Sequence, residues 1–295
     1  MTKFGFIAII GPTNAGKSTL INSIMGRKVS IVSHKVQTTR TRLRAVKMVG
    51  SAQLVFVDTP GIFRPARRLD KAMVSSAWSA FGESDATLLI IDAKHGITDT
   101  VRQIIEKIKD KKNLFAALNK VDAVPKEKLL PIAAELMTLA PFSEIFMISA
   151  LKNKGTEKML ESLAAVMPQG PYMFDATDAT DVPDNIFLAE ITREKVYKYL
   201  HQELPYNIHV RTDKAEYDSE NVLEIMQTVL VAKESQKKIV VGKAGSKLQQ
   251  IGTAARLAIQ NEWGVNARLK LFVKVDENWQ DDPESYEEQG LEFKK

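Results

Sequence analysis

The sequence predicts an α/β domain, with a mostly parallel sheet and helices on both of its faces, followed by a smaller α+β domain. Short apolar runs alternate with helical patterns through the first half of the chain, which is typical of a parallel sheet. Residues 168–183 contain three prolines and a glycine, which is typical of a linker. With 295 residues, the chain is long enough to form a separate core in each domain.

The composition excludes several classes of site. The chain has no cysteine, which excludes disulfides, thiolate metal sites and cysteine catalysis and favours a reducing compartment. No apolar run is long enough to span a bilayer, and the first strand begins too early to leave room for a signal peptide. We therefore expect a cytoplasmic protein. The net charge of +5 is informative mainly through its distribution along the chain.

The elements of the first domain can be placed from periodicity alone. The predicted strands are Phe6–Ile10, Leu43–Met48, Gln53–Val57, Thr87–Ile91, Leu114–Leu118 and Ile145–Ile148. The predicted helices are Thr19–Ile24, Leu69–Phe81, Asp99–Lys109, Lys126–Leu139 and Thr156–Met167. In such a fold, ligands bind at the carboxyl ends of the strands.

A complete phosphate-binding loop joins the first strand to the first helix. It consists of Gly11, Pro12, Thr13, Asn14, Ala15, Gly16, Lys17 and Ser18, and Thr19 follows it. Backbone N–H groups of such a loop and of the helix N-terminus surround a polyphosphate. We expect Lys17 to reach the β- and γ-phosphates and the Ser18 hydroxyl to bind Mg²⁺. The alternative, a strand-to-helix turn that binds nothing, does not explain why the glycines, lysine and serine stand at this spacing.

A second motif follows the third strand and contains Asp58, Thr59, Pro60, Gly61 and Ile62. Alone, these residues would be an ordinary turn. Downstream of a phosphate loop, Asp58 is expected to hold Mg²⁺ through water, and the Gly61 N–H to approach a γ-phosphate.

Two further motifs at strand ends indicate guanine. The first consists of Asn119, Lys120, Val121 and Asp122, and the second of Ser149, Ala150 and Leu151. The Asp122 carboxylate can accept from guanine N1–H and the 2-amino group, whereas adenine has neither donor there. We expect the Ala150 N–H to donate to guanine O6. Each motif alone would be a surface turn, but together they select GTP over ATP.

The stretch before the second strand contains Gln37, Thr38, Thr39, Arg40 and Thr41. A threonine hydroxyl there could complete the Mg²⁺ shell when a γ-phosphate is present, which would order this switch loop. Thr38 and Thr39 both fit, and we favour Thr39. The alternative is an ordinary pair of threonines at the start of a strand.

The second domain has a cationic surface around a glycine loop. The predicted elements are a helix over Asn185–Gln202, strands over Tyr206–Arg211, Leu223–Ala232 and Ala267–Val275, and a helix ending at Glu262. The loop consists of Gly242, Lys243, Ala244 and Gly245, between a predicted strand and a helix, and it is similar to the GXXG loop that clamps a single-stranded nucleic-acid backbone. From residue 236 to 275 the cations are Lys237, Lys238, Lys243, Lys247, Arg256, Arg268, Lys270 and Lys274, against the single acid Glu262. A solvated surface would mix signs, so we predict RNA binding.

These motifs together resemble the Era family of GTPases. The resemblance implies a Ras-like GTP-binding domain over residues 1–168 and a type II KH domain over 185–278. Composition predicts a linker over 169–184 and an acidic tail over 279–295, of which Asp281–Glu288 is expected to fray. The resemblance also implies GTP hydrolysis and binding of the small-subunit ribosomal RNA near its 3′ end during ribosome assembly. Family members associate peripherally with membranes, which the basic surface permits without requiring it. We expect a monomer that does not bind DNA.

Hydrolysis lacks one familiar component. Ras-type enzymes orient the attacking water with a glutamine after the Asp-x-x-Gly motif, and Ile62 occupies that position here. The groups expected to act on the phosphates are Lys17, Asn14, Thr39 and Gly61. In similar GTPases the residue equivalent to Asn14 binds a K⁺ ion, and the alternative is that Asn14 only stabilises its own loop. We expect a slow intrinsic rate.

Two functions from other classes were considered. A phosphotransferase with a phosphate-binding loop is disfavoured by the guanine motif and by the absence of an acceptor-site signature. A passive RNA-binding module would use its nucleotide site only to stabilise the fold, and it would not depend on Lys17 for function.

Overall fold

A computed structural model describes residues 1–33, 43–63, 65, 67–175, 180–287, 291 and 293. The chain divides into two compact units, one formed mainly by residues 1–181 and the other mainly by residues 182–295. Residues 31–33 are grouped with the second unit. Within the described ranges, no helix combines the length and the apolar character needed to span a membrane.

The first unit is a six-stranded sheet with the strand order β2-β3-β1-β4-β5-β6. Its strands are β1 Lys3–Ile10, β2 Leu43–Val49, β3 Ala52–Asp58, β4 Ala86–Asp92, β5 Leu114–Asn119 and β6 Glu144–Met147. Its helices are α1 Lys17–Met25, α2 Arg68–Gly82, α3 Asp99–Ile108, α4 Leu129–Leu139 and α5 Thr156–Val166. Only β2 runs antiparallel to its neighbour. The predicted α/β class is therefore confirmed, and each predicted strand and helix of this unit is present.

The burial of the central strands explains why they could be predicted from the sequence. Every residue of β3, β4 and β5 is buried, so these strands appear in the sequence as continuous apolar runs rather than alternating ones. Their carboxyl ends carry the polar residues Asp58, Asp92 and Asn119, all less than a tenth exposed. The parallel arrangement brings these polar ends to one edge of the sheet.

The second unit has a three-stranded sheet with the order β7-β8-β9. Its elements, in chain order, are α6 Asp184–Tyr199, β7 Ile208–Tyr217, β8 Leu223–Val231, α7 Glu234–Val241, α8 Ser246–Trp263, β9 Ala267–Val275 and α9 Pro283–Glu287. Strands β7 and β8 are antiparallel, and β8 and β9 are parallel. This helix–strand–strand–helix–helix–strand order is the one that the family resemblance implied.

The prediction of a strand before the glycine loop was wrong. Residues 234–241 form helix α7, of which only Val240 is buried. The Gln236 side-chain oxygen accepts from the backbone N–H groups of Ala232 and Lys233, at 2.9 and 3.1 Å. This contact closes the first turn of the helix, so local capping prevails over the apolar run at residues 239–241.

Residues 279–287 are folded against the second unit, in contrast to the fraying expected for residues 281–288. Trp279 is 1% exposed and stacks on His209, with ring centroids 5.8 Å apart. Tyr286 is equally buried, and its hydroxyl donates to the Gln280 carbonyl at 2.8 Å. Two aromatic side chains therefore anchor a stretch whose composition is otherwise acidic.

Residues 173 and 174 of the predicted linker are anchored to the first unit by the Gln53 side chain. This side chain of β3 is fully buried. Its oxygen accepts from the N–H groups of Met173 and Phe174, both at 3.0 Å, and its amide donates to the Phe174 carbonyl at 2.7 Å. Arg44 also pairs with Asp181 at 3.2 Å. The division between the two units accordingly falls after residue 181, inside the predicted linker.

Replacing Gln53 with leucine should detach this stretch. The variant leaves two N–H groups and a carbonyl without their partners, so the free energy of unfolding should fall by roughly 2 kcal/mol. Proteolysis within residues 169–175 should become faster. Chemical denaturation and limited proteolysis measure the two effects, with Gln103→Leu on the exposed side of α3 as the control. If Gln53→Leu unfolds and is cleaved like the control, the side chain does not anchor the stretch.

Candidate nucleotide and nucleic-acid sites

The loop between β1 and α1 depends on two glycines for its shape. Gly11 has φ of 153°, and a Cβ atom there would lie 2.4 Å from the Ile90 carbonyl oxygen. Gly16 has φ of 97° and caps α1, and its Cβ would lie 2.3 Å from Asn119 Nδ2. No side chain fits at either position without moving backbone or a buried amide. The helix also begins without a side-chain cap, so its first N–H groups can bind an anion.

Lys17 lies inside this loop rather than extending into solvent. It is 6% exposed, and its ammonium group donates to the carbonyl oxygens of Gly11 at 3.2 Å and Pro12 at 2.9 Å. Burial lowers the pKa of Lys17 to about 8, an effect that the nearby Asp58 carboxylate partly opposes. The charges of a polyphosphate would favour the ammonium form further. The position suits the predicted role of Lys17 at the β- and γ-phosphates.

Ser18 and Asp58, the predicted Mg²⁺ ligands, lie side by side. Asp58 is fully buried, and its Oδ2 accepts from the hydroxyls of Ser18 at 3.0 Å and Ser30 at 2.9 Å. A hydroxyl beside a buried carboxylate is a suitable set of hard oxygen ligands for Mg²⁺. No cluster of three or more histidine, cysteine or acidic side chains in the described parts of the chain could hold a metal alone. A bound Mg²⁺ would therefore also need oxygens from a nucleotide and water.

The segment from Thr59 to Ile62 is attached directly to the phosphate loop. The Thr59 hydroxyl donates to the Ile9 carbonyl at 2.7 Å, and the Ile62 N–H donates to the Gly11 carbonyl at 3.0 Å. Gly61 approaches Thr13 so closely that a Cβ would lie 2.7 Å from Thr13 Cγ2. Pro60, which follows Thr59 in the chain, is also buried. The Ile62 side chain packs against a core cluster of this unit, and because it is aliphatic it offers no hydrogen-bonding group at the position of the Ras glutamine.

The Asn119 side chain joins three of the predicted motifs. Its amide donates to the Ala15 carbonyl at 2.9 Å, and its oxygen accepts from the N–H groups of Lys120 at 2.8 Å and Ala150 at 3.0 Å. Asn119 is 1% exposed. The Ala150 N–H that we expect to donate to guanine O6 is thus engaged by Asn119 here, and it would have to share or exchange this acceptor on nucleotide binding.

The sequence analysis missed Asp92, which lies at the end of β4. Its Oδ2 accepts from Lys120 Nζ at 2.6 Å, and the same ammonium donates to the Asn14 carbonyl at 2.7 Å. Burial would raise the pKa of Asp92, but hydrogen bonds from Lys120 and the Lys94 N–H outweigh it and the pKa is lowered. The sequence feature that could have identified Asp92 is its position at the end of a predicted strand, because the other motifs also follow strand ends. Asp92 fixes the Lys120 side chain across the phosphate loop.

Asp122, the last residue of the motif that begins at Asn119, lies beside the motif formed by Ser149, Ala150 and Leu151. A hydrogen bond from the Ser149 side chain, together with Lys152, lowers the pKa of Asp122, and Lys152 Nζ lies 3.3 Å from Asp122 Oδ2. The carboxylate is therefore ionised over the physiological range, as an acceptor for guanine requires. Val121 begins a short 3₁₀ turn, and Leu151 is 81% exposed. Predicted switch residues Gln37, Thr38, Thr39, Arg40 and Thr41 lie outside the described residues.

The glycine loop of the second unit lies between helices α7 and α8. Gly242 has φ of 73° and ψ of 179°, and a Cβ there would lie 2.6 Å from Lys247 Cβ. Ala244 and Gly245 also have positive φ, of 50° and 79°. Gly245 caps α8 without a side chain, so the first N–H groups of the helix can bind a phosphate. The geometry matches the predicted backbone clamp.

The cations that appear together in the sequence divide into two groups. Lys237, Lys238, Lys243, Lys247 and Arg256 lie on α7, the glycine loop and α8. Lys270 and Lys274 alternate along β9 with residues that pack against the helices, so they lie on the other face of the sheet. Arg268 is neutralised by Asp218 and Glu220, at 2.8 and 3.2 Å. The first group is therefore the candidate RNA surface, because no salt bridge between described residues involves its four lysines.

Comparison with known proteins identifies relatives over the full chain. A family model described as 50S ribosome-binding GTPase matches residues 6–120, and one described as KH domain matches residues 203–280. The GTPase Era of Mesorhizobium japonicum is 49% identical over 293 residues, covering 99% of this chain and 94% of the relative. The GTPase Era of Rhizobium meliloti is 48% identical, covering 100% and 94%.

Two solved structures share the whole architecture. One is Era in complex with MgGDPNP and nucleotides 1506–1542 of 16S ribosomal RNA, with a TM-score of 0.92 and 34% identity. The other is a variant of Aquifex aeolicus Era bound to GDP and AlF₄⁻, with the same TM-score and identity. Each match covers 98% of this chain and 99% of the other.

Replacing Asp122 with asparagine should change the base that is bound. An asparagine can accept from xanthine N1–H and donate to xanthine O2, whereas it presents a donor to the guanine 2-amino group. Affinity for GDP should fall roughly 100-fold and affinity for xanthosine diphosphate should rise, because two charge-assisted hydrogen bonds are lost. Titration calorimetry with both nucleotides measures this, with Asp110→Asn after α3 as the control. Unchanged preference for guanine would remove Asp122 from the base site.

Proposed function

The chain belongs to the Era family of GTPases, and we propose that it is a GTP-hydrolysing switch that binds the 3′-terminal region of small-subunit ribosomal RNA during assembly of that subunit. The observation that carries this proposal is the presence in one chain of the guanine-nucleotide motifs and a GXXG loop whose lysines form no salt bridge with another described residue. The Era structure with MgGDPNP and a 16S fragment supports it, since it shares 34% identity and nearly the full length. That fragment favours the small subunit as the partner, although the matching family model is described by the large one.

The nucleotide site acts mainly by positioning charge. The N–H groups of the phosphate loop and Lys17 would hold the β- and γ-phosphates, and Ser18 and Asp58 would hold Mg²⁺ with the predicted switch threonine, Thr39. Mg²⁺ supplies neutralisation of the charge that develops on the phosphate oxygens. At the other end, Asp122 selects guanine, and Asn119 keeps the base and phosphate segments in register.

Hydrolysis by this site should be slow without a partner. Ile62 packs against the core, and its aliphatic side chain cannot orient water, so the attacking water would depend on the Gly61 N–H, a bound cation or a partner. A slow rate gives the GTP-bound state a lifetime, which a switch needs. RNA or another partner would then accelerate the step by completing the site.

The RNA site would bind mainly the sugar–phosphate backbone of the RNA. The loop Gly242–Gly245 allows a phosphate to approach the start of α8, and Lys237, Lys238, Lys243 and Lys247 supply the sequence-independent attraction. Arg256 is held by Gln260 at 3.1 Å, further along the same helix. Bases of a single strand would therefore follow α8 away from the loop.

A charge reversal in the loop should abolish RNA binding and leave the nucleotide site intact. In a Lys243→Asp, Ala244→Asp variant, the aspartates repel the phosphate, and aspartate tolerates the positive φ of residue 244. Affinity for an RNA of nucleotides 1506–1542 should fall roughly 30-fold or more, with GDP affinity unchanged. Lys270→Asp, on the other face of the sheet, is the matched control. Fluorescence anisotropy measures the RNA and calorimetry the nucleotide.

The same titrations with GDP and with a non-hydrolysable GTP analogue test the switch. Affinity for the RNA should differ between the two nucleotides, because coupling between sites is reciprocal. Equal affinities would contradict the switch while leaving RNA binding in place. A wild-type protein that binds this RNA no better than an unrelated single strand would overturn the small-subunit assignment.

A K⁺ ion bound by Asn14 should support hydrolysis. Turnover is expected to be about tenfold faster in KCl than in NaCl, which corresponds to about 1.4 kcal/mol of barrier. Asn14→Gly should remove the difference, since glycine accepts the φ of 61° at this position while the carbonyl that binds Lys120 remains. A K⁺ preference that survives in Asn14→Gly, or no preference in the wild type, would assign Asn14 to loop stability alone. Cytoplasmic location, peripheral membrane contact and a monomeric state stay predictions.

A further inference from the structure

A buried serine outside the predicted motifs contacts one of the predicted Mg²⁺ ligands. Ser30 is 5% exposed, and its hydroxyl donates to Asp58 Oδ2 at 2.9 Å. The Ser18 hydroxyl donates to the same oxygen at 3.0 Å. Ser18 is itself a predicted ligand, so its contact with Asp58 is part of the metal site. Ser30 is not a predicted ligand, and its contact with Asp58 therefore supports the carboxylate from outside the site.

The Asn22 side chain holds Ser30 in place. Asn22 Oδ1 accepts from the backbone N–H groups of Val29 and Ser30, both at 2.9 Å, and Asn22 Nδ2 donates to the Ser30 carbonyl at 2.8 Å. Residues 29 and 30 belong to neither a helix nor a strand, so these bonds take the place of the backbone partners that secondary structure would supply. One side chain thus fixes the backbone on both sides of the Ser30 Cα.

These contacts form a closed ring between α1, Ser30 and the end of β3. Ser18 and Asn22 are four residues apart in α1, so they lie on the same face of the helix. Ser18 reaches Asp58 directly, and Asn22 reaches it through Ser30. Asp58 is the last residue of β3, and its backbone is paired with both neighbouring strands. The plane of its carboxylate is less constrained, because the terminal torsion of an aspartate has only a broad preference.

We propose that Ser30 is a positioning residue of the Mg²⁺ site: its hydroxyl, held by Asn22, fixes the plane of the Asp58 carboxylate that holds the metal. The inference rests on the proposed nucleotide site. Hydrogen bonds from outer side chains orient the ligands of a metal, and their loss typically weakens metal binding by about ten- to a hundredfold. Ser30 thereby sets how tightly Mg²⁺, and with it the nucleotide, is retained.

Removing the Ser30 hydroxyl should weaken Mg²⁺ binding selectively. The full-length protein is loaded with a fluorescent GDP analogue, and the rate of nucleotide release is measured as free Mg²⁺ is varied. In Ser30→Ala, the Mg²⁺ concentration that gives half of the maximal slowing should rise about tenfold or more. The rate of release in EDTA should match that of the wild type, because the phosphate loop and the base motifs are unchanged.

Two further variants test the specificity of this effect. Ser162→Ala is the matched control, since the Ser162 hydroxyl also donates to a carboxylate, Glu144 Oε2 at 2.8 Å, at the start of β6. It should leave the Mg²⁺ dependence unchanged. Asn22→Ala should shift the dependence in the same direction as Ser30→Ala. Combining the two substitutions should add little, because both act through one contact, and additive effects would contradict the role of Asn22.

The outcomes separate this inference from the proposed function. An unchanged Mg²⁺ dependence in Ser30→Ala would show that the hydroxyl does not position Asp58. Release that is faster by the same factor with Mg²⁺ and in EDTA would show that Ser30 only shapes its loop, and the inference would fail as well. A wild type that binds no GDP, or whose GDP release does not respond to Mg²⁺, refutes the proposed nucleotide site itself.

Discussion

The nucleotide site depends on one buried amide, the Asn119 side chain, which holds together segments that come from three separate places in the sequence. It binds the phosphate loop through the Ala15 carbonyl and the segment after β6 through the Ala150 N–H. Gly16 makes this contact possible, because a Cβ atom there would lie 2.3 Å from the Asn119 amide nitrogen. Neutral hydrogen bonds inside a buried site have no competition from water, and their loss would leave several backbone groups unsatisfied. The distance between the phosphate and base subsites is set by this contact.

Charged groups then divide the site into two ends with different environments. At the phosphate end, Lys17 and Asp58 are both buried, and burial lowers the pKa of Lys17 to about 8 although the nearby Asp58 carboxylate opposes that shift. At the base end, Asp122 is stabilised in its charged form by Ser149 and Lys152. A buried lysine gains most from a polyphosphate, which supplies negative charge where water is absent. A more accessible carboxylate can exchange its lysine for the donors of a base.

The sequence was sufficient for the fold of the first unit because its strands are buried on both faces and its motifs stand at their ends. The sequence was insufficient where contacts between residues far apart in the chain determine the structure or the role of a side chain. Asp92 carries no motif of its own, and only the structure brings it to Lys120. The run before Gly242 is apolar enough for a strand, yet the contact of Gln236 with the preceding backbone makes it a helix. Similarly, Gln53 binds the supposed linker across 121 residues of sequence, and no local pattern encodes such a contact.

The two candidate phosphate sites are built in the same way, although the folds of the two units differ. In each, a glycine in the left-handed region caps a helix without a side-chain hydrogen bond, Gly16 before α1 and Gly245 before α8. A serine or aspartate cap would be more favourable for the helix, since it would satisfy an N–H group that glycine leaves open. In the first unit the loop contains a buried lysine, Lys17, and the proposed pairing of Asp122 with guanine would make the site specific for a nucleotide. In the second, the lysines around the glycine loop are at least partly exposed, so the same kind of helix cap suits a polymer with repeated phosphates.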